Sequence, residues 1–205
     1  MTDLRRPARR SLWNDLFGGL QQRTALSAWE KAGRTGPAPL LYTQQVILDA
    51  AAGNGAKVFV ETRTHFGDLA RALADKFREV YTMEYDDDLY ERARKKFDPR
   101  PHIHCLGGAS PELLASILRR ISEPCVFLLN AHAPDTAGPP RVDQELAAIA
   151  AHRVKTHAVL IDYASLLNGS AGLPTPEQIE PLRATLFPSL RMTVEHDIVR
   201  LLPAG

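Results

Sequence analysis

The sequence predicts an α/β protein built on a mostly parallel sheet, and three observations carry that prediction. Short apolar, β-rich runs alternate with helical stretches of ten to fifteen residues, as a parallel sheet with right-handed crossovers requires. Several of those runs end on a polar residue: Glu61, Glu84, Asn130 and Asp162-Tyr163. The chain then closes on two strands around His196-Asp197, a hairpin rather than another crossover.

The stretch Lys57–Phe77 (KVFVETRTHFGDLARALADKF) reads as strand, tight turn and helix. Lys57–Val60 is the strand, ending on Glu61; Gly67 closes the turn; Leu69, Leu73 and Phe77 recur at helical spacing. Such a unit places a ligand over the helix N-terminus, at the carboxyl edge of the sheet. Glu79–Glu84 (EVYTME) is a second strand ending in an acid about 20 residues on, where a carboxylate can take ribose hydroxyls.

The remaining elements follow in order. Met1–Arg10 is polar and basic, a frayed terminus or an arm for an anionic partner. Ser11–Lys31 has an amphipathic helical pattern that Gly18-Gly19 is expected to break in two. Leu40–Ala52 is a second helix, leading to the first strand and able to cover the ligand edge. Asp86 or Asp87 caps a charged helix to Phe97, and His102–Leu106 is the third strand. A helix opens at Ser110-Pro111-Glu112, with proline at its first position. Cys125–Leu129 (CVFLL) has the continuous apolar character of a central strand buried on both faces. An alanine-rich helix spans about Val142–Ala151, His157–Ile161 is the fifth parallel strand, and Thr175-Pro176-Glu177 starts the last helix. Residues 1–38 form an N-terminal basic and helical extension, and 39–205 the α/β domain.

Composition excludes several classes. The 205 residues carry a net charge of +1, with 44% apolar and 24% charged side chains, so nothing steers the whole chain toward nucleic acid or an acidic membrane. No apolar run approaches membrane-spanning length, and a cytoplasmic protein is expected. Cys105 and Cys125 lie in strand-like runs and read as buried thiols. His102 and His104 alternate on one strand but have no acid or cysteine at ligand spacing, so no metal site is expected.

In FVETRTHFGDLARAL, VYTMEYDDDLYERARKKF, LLNAH, HAVLIDY and DIVRLLP, the chain resembles the class I S-adenosylmethionine-dependent methyltransferases. It is most similar to a small bacterial group whose first loop reads like ETGTYLGD and whose fourth strand ends like LDAHYSGG. The resemblance covers Leu40–Pro203 and implies a Rossmann-like methyltransferase fold: a seven-stranded sheet whose C-terminal hairpin adds an antiparallel strand. It implies S-adenosylmethionine as cofactor, held by Glu61, Arg63, Gly67, Glu84, Gly108 and Asn130. It further implies a small-molecule acceptor facing His132 and Asp162, with His132 as a base or simply a hydrogen-bonding loop residue. Several positions depart from the family pattern. Arg63 stands for a glycine, His65 for glycine or tyrosine, Gly108 for an acid, Asn130 for an aspartate, and Tyr163 for the second acid of a pair. Arg63 either fills cofactor space, at a position where positive φ would cost a non-glycine residue, or pairs with the cofactor carboxylate. The alternative reading is a catalytically silent methyltransferase-like domain that binds another ligand or a protein. Self-association through the N-terminal helices is the expected route to any oligomer.

Overall fold

The computed structural model describes residues 8–131, 141–169 and 173–204, with side chains from residue 19 onward. Seven strands form one sheet in the order β3-β2-β1-β4-β5-β7-β6. They are β1 (Val58–Glu61), β2 (Glu79–Glu84), β3 (Ile103–Gly107), β4 (Cys125–Asn130), β5 (Ala158–Asp162), β6 (Leu190–Glu195) and β7 (Ile198–Pro203). The first five are parallel, with Glu61 level with Thr82 of β2 and Leu128 of β4. β7 runs antiparallel to both β5 and β6, as the closing hairpin predicts.

Helices cover both faces, which is why the central strands are apolar throughout. Side chains alternate between the two layers. Val58, Val60, Phe127, Leu129, Val159 and Ile161 meet α5 (Ser110–Leu118), α6 (Val142–Ala150) and α7 (Pro176–Leu186). Phe59, Val80, Val126, Leu128 and Leu160 meet α2 (Leu40–Asn54), α3 (Asp68–Leu73) and α4 (Asp87–Phe97) on the other side. Local signals set the helix starts. Asp86 Oδ1 accepts from the Leu89 N–H at 2.9 Å, and Thr175 with Gln178 forms a reciprocal capping box.

Two expectations need correction. Helix α1 runs unbroken over Ala8–Lys31, straight through Gly18-Gly19. Glycine weakens a helix by about 1 kcal/mol per residue but forbids nothing, and good helix formers flank the pair. The helix after β1 is also shorter than its periodicity implies: it tightens into a 3-10 turn at Ala74–Lys76 before Phe77.

The end of α1 is tied to the body by aromatics. Trp29 lies 4.9 Å from Tyr42 and 5.5 Å from His196, centroid to centroid. Arg200 donates to the Tyr42 oxygen at 2.9 Å, so the Tyr42 hydroxyl gives its proton to His196 Nδ1 at 2.8 Å. His196 and Asp197 both adopt positive φ, the backbone of a two-residue hairpin turn. That turn docks on the end of β5: the Asp197 carbonyl accepts from the Ala164 N–H at 2.8 Å, and its carboxylate from the Ser165 N–H at 2.6 Å.

Candidate functional site

The strand order reverses between β1 and β4, and the carboxyl ends of strands at such a point open a crevice. There the chain leaves β1 through a loop fixed by its own backbone. Thr62 N–H donates to the Leu128 carbonyl at 3.1 Å, Thr64 N–H to the Met83 carbonyl at 2.7 Å, and Gly67 N–H to the Thr64 carbonyl at 2.7 Å. Gly67 has φ of 68°, and a Cβ there would stand 2.5 Å from Cζ of Phe97. The turn and the packing of α4 therefore demand this glycine. Arg63 is not among the residues with positive φ; the strained position is His65, at φ 50°. The expected backbone cost thus falls two residues later than the family pattern places it.

A cleft of about 220 Å³ lies on this edge. Glu61, Arg63, Asn130 and Asp162 all line it, together with Tyr163 and, from the start of α2, Leu40 and Thr43. The structure thus brings together four of the eight candidate positions, drawn from three strand ends. Among the described residues that line it, neither Gly67, Glu84 nor Gly108 takes part. His132 lies outside the described residues.

Glu61 is buried, and its Oε1 accepts from the Thr82 hydroxyl at 2.6 Å. Thr82 in turn is 2.5 Å from the Thr64 hydroxyl, so one polar chain links the cleft floor to the β1 loop. Burial pushes the Glu61 carboxyl up to about 8, against the pull of Thr82 and Lys96 and with a push from Glu84. Burial therefore favours the protonated form of Glu61. Burial raises Asp162 to about 6, while the Tyr163 N–H, donating at 2.9 Å, draws it down. Arg63 is lowered by its own burial and held charged by Glu84, Asp86 and Tyr163 around it.

Glu84 is 2% exposed and holds three backbone N–H groups. Its Oε2 accepts from the His65 N–H at 2.7 Å; its Oε1 accepts from the Tyr85 and Asp86 N–H groups, both at 3.1 Å. Gly108 follows β3 with φ of 130°, a backbone that L side chains rarely adopt. The acid that the sequence resemblance expects here would not fit this loop as it is shaped.

Sequence reasoning missed Glu145. This acid of α6 is 3% exposed and accepts from the Ser110 hydroxyl. Burial lifts it to about 7, with the Ser110 and Thr62 hydroxyls lowering it. Thr62 Oγ1 also accepts from the Asn130 N–H at 3.2 Å. Glu145 so joins the loop after β1 to the start of α5, and Thr62 carries the link on to the end of β4. One signal was available: an acid on the apolar stripe Val142, Leu146, Ile149, where a surface residue does not belong.

No protein-family model matches the sequence, and no curated protein matches it. Solved structures match in shape. A methyltransferase from Geobacter sulfurreducens aligns over 95% of this chain and 97% of its own, with a TM-score of 0.57 and 11% identity. The O-methyltransferase TomG from Streptomyces achromogenes, solved in complex with S-adenosylmethionine, covers 90% of this chain and 89% of its own, with a TM-score of 0.57 and 15% identity. An rRNA methylase from Streptococcus thermophilus gives 0.50 over 83% and 99%, at 10% identity. Likeness at such identity speaks to fold. Its strand order, its closing antiparallel hairpin and these neighbours agree that the chain has the fold of the class I S-adenosylmethionine-dependent methyltransferases.

Proposed function

We propose that the chain is an S-adenosylmethionine-dependent methyltransferase acting on a small-molecule acceptor. The observation that carries the reading is the cleft at the β1/β4 reversal, lined by Glu61, Arg63, Asn130 and Asp162. A small molecule is preferred over RNA because the net charge of +1 supplies no broad basic surface for phosphates.

The residues present fit the cofactor in part. Arg63, with five donors in a planar fork, suits the carboxylate of its methionine end, and Glu61 and Asn130 suit the polar groups beside it. Glu84 suits the ribose less well, since it is buried and backbone N–H groups already take three of its acceptor sites. When bound, the cofactor supplies an already activated methyl group, so the protein's part is positioning and exclusion of water. Leu40 and Thr43 of α2 line one side of the cleft, and burial favours the protonated form of Glu61. Asp162, its carboxyl raised to about 6 by burial, lines the cleft and is the candidate to take a proton where the acceptor must lose one. His132, two residues past Asn130 in sequence, is the other candidate for that role.

The engagement of Glu84 favours a second reading, a silent methyltransferase-like domain. Calorimetric titration with S-adenosylmethionine and S-adenosylhomocysteine separates the two. Micromolar binding of either supports the enzyme. A folded protein that binds neither at millimolar concentration overturns it and leaves the silent domain.

A further inference from the structure

Glu145 does not line the cleft, yet it holds chain segments that do. It sits in the first turn of α6, 3% exposed, where α6 packs on α5. Its Oε1 accepts from the hydroxyl of Ser110, the residue that opens α5 two positions after Gly108. The Thr62 hydroxyl also supports its charge, though less than Ser110 does. Thr62 stands between Glu61 and Arg63, and both of those line the cleft. The Thr62 N–H is fixed on the Leu128 carbonyl at 3.1 Å, and its Oγ1 accepts from the Asn130 N–H at 3.2 Å. With Asn130 as its donor, the Thr62 hydroxyl has its own proton to turn toward Glu145. Glu145 Oε2 is cut off from water and has no hydrogen-bond partner of good geometry among the described residues. Asp143 acts on the carboxyl from the same helix, and among the described residues no cation pairs with it.

We propose that Glu145 is a positioning residue for the ligand edge: as a carboxylate it draws in the Ser110 and Thr62 hydroxyls, sets the loop between Glu61 and Arg63, and makes ligand affinity follow its own ionisation. This role rests on the cleft being the S-adenosylmethionine site and adds what holds that site in shape. Two hydroxyl protons aimed at one carboxyl suit the ionised form; a protonated acid puts a donor of its own where donors already stand. Hydrogen bonds to an ionised acceptor are about twice as strong as neutral ones, so loss of the charge loosens the hold on Thr62. Burial opposes the charge and lifts the carboxyl to about 7, with Ser110 and Thr62 pulling it down and Asp143 pushing it up. Its place in the first turn of α6 also favours negative charge. The two forms therefore exchange close to neutral pH. The ordered loop belongs to the ionised form, so affinity is greatest above about pH 7 and falls as pH drops through that value.

The test is calorimetric titration of the full chain with S-adenosylhomocysteine between pH 5.5 and pH 8.5, on wild type, Glu145→Gln and Ser110→Ala, with melting temperatures read alongside. Glu61, Asp162 and the ligand's amino group titrate too, so the quantity read is the ratio of wild-type to Glu145→Gln affinity at each pH. Glutamine keeps an acceptor for Ser110 but cannot carry the charge. Wild type is expected to bind about tenfold more tightly than Glu145→Gln at the alkaline end and about equally at the acid end. Ser110→Ala removes the stronger donor to the carboxylate, so its affinity should rise at higher pH than in wild type. If Glu145→Gln does not fold, that shift asks the same question. A wild-type-to-glutamine ratio that stays constant or falls as pH rises overturns the proposal, and so does a Ser110→Ala profile that coincides with wild type. Those results leave the methyltransferase reading standing, because the wild type still binds. If folded wild type binds S-adenosylhomocysteine at no pH, both fall.

Discussion

The backbone N–H of His65 donates to Oε2 of Glu84 across 2.7 Å, joining the loop after β1 to the end of β2. His65 reaches that position at φ 50°, a conformation that is unfavourable for a side-chain-bearing residue. The bond makes Glu84 part of the loop's architecture. It also decides which half of the ligand edge is open.

Glu84→Ala is therefore expected to lower stability, not only ligand affinity. Three part-buried backbone N–H groups lose their acceptor, and a loss of about 1–3 kcal/mol in all is expected because water can reach some of them. Urea unfolding should show a lower midpoint with an unchanged slope. A midpoint equal to wild type would mean that the loop is not held by this carboxylate.

Gly108→Asp, which introduces the acid that the sequence resemblance expects at this loop, is expected to destabilise the protein by about 1–3 kcal/mol, because φ of 130° does not suit an L side chain. It should not improve binding of S-adenosylhomocysteine. A variant that is as stable as wild type and binds that ligand more tightly would show that the loop takes another shape in solution.

Gly67→Ala places a methyl group 2.5 Å from the Phe97 ring at φ 68°, and we expect a loss of about 1–3 kcal/mol. Phe97→Leu should relieve the steric share of that loss, giving a non-additive pair in a double-mutant cycle. Strict additivity would locate the whole cost in the backbone.

Glu61 sets a pH dependence whose sign can be worked out. Its folded value of about 8 lies above the ordinary 4.5, so the folded state holds the proton more tightly than the unfolded one. The stability this gives is fully present below pH 4.5 and is lost at about 1.4 kcal/mol per pH unit as pH rises toward 8. The groups around it are Thr82, Glu84 and Lys96, with Arg63, Asn130 and Asp162 sharing the cleft. Glu61→Gln keeps the shape and cannot ionise, so its stability relative to wild type should improve from pH 5 to pH 8. Urea midpoints of the two proteins, compared at both values, give the answer. A constant difference would mean that Glu61 is ionised throughout.

The sequence alone determined the layering of this protein. Cys125–Leu129 is apolar at every position because β4 is covered on both faces, and that pattern is readable without neighbours. Asp86 and Thr175 announced their helices, and His196-Asp197 its hairpin, because caps and tight turns are settled within a few residues. The polar ends of the strands also marked the ligand edge, since strand ends of a parallel sheet share one side. Only the tertiary structure decided what each polar side chain does there. Glu61 and Glu84 look alike in sequence, each an acid ending a strand; one lines the cleft and the other is consumed by the loop between them. Glu145 is marked in sequence only as an acid on an apolar stripe; its partners Ser110 and Thr62 appear once α6 is laid on the sheet. The physical reason is range. Apolar periodicity reports burial, which a short segment fixes for itself, whereas the partner of a carboxylate is chosen by loops that the sheet brings together from far along the chain.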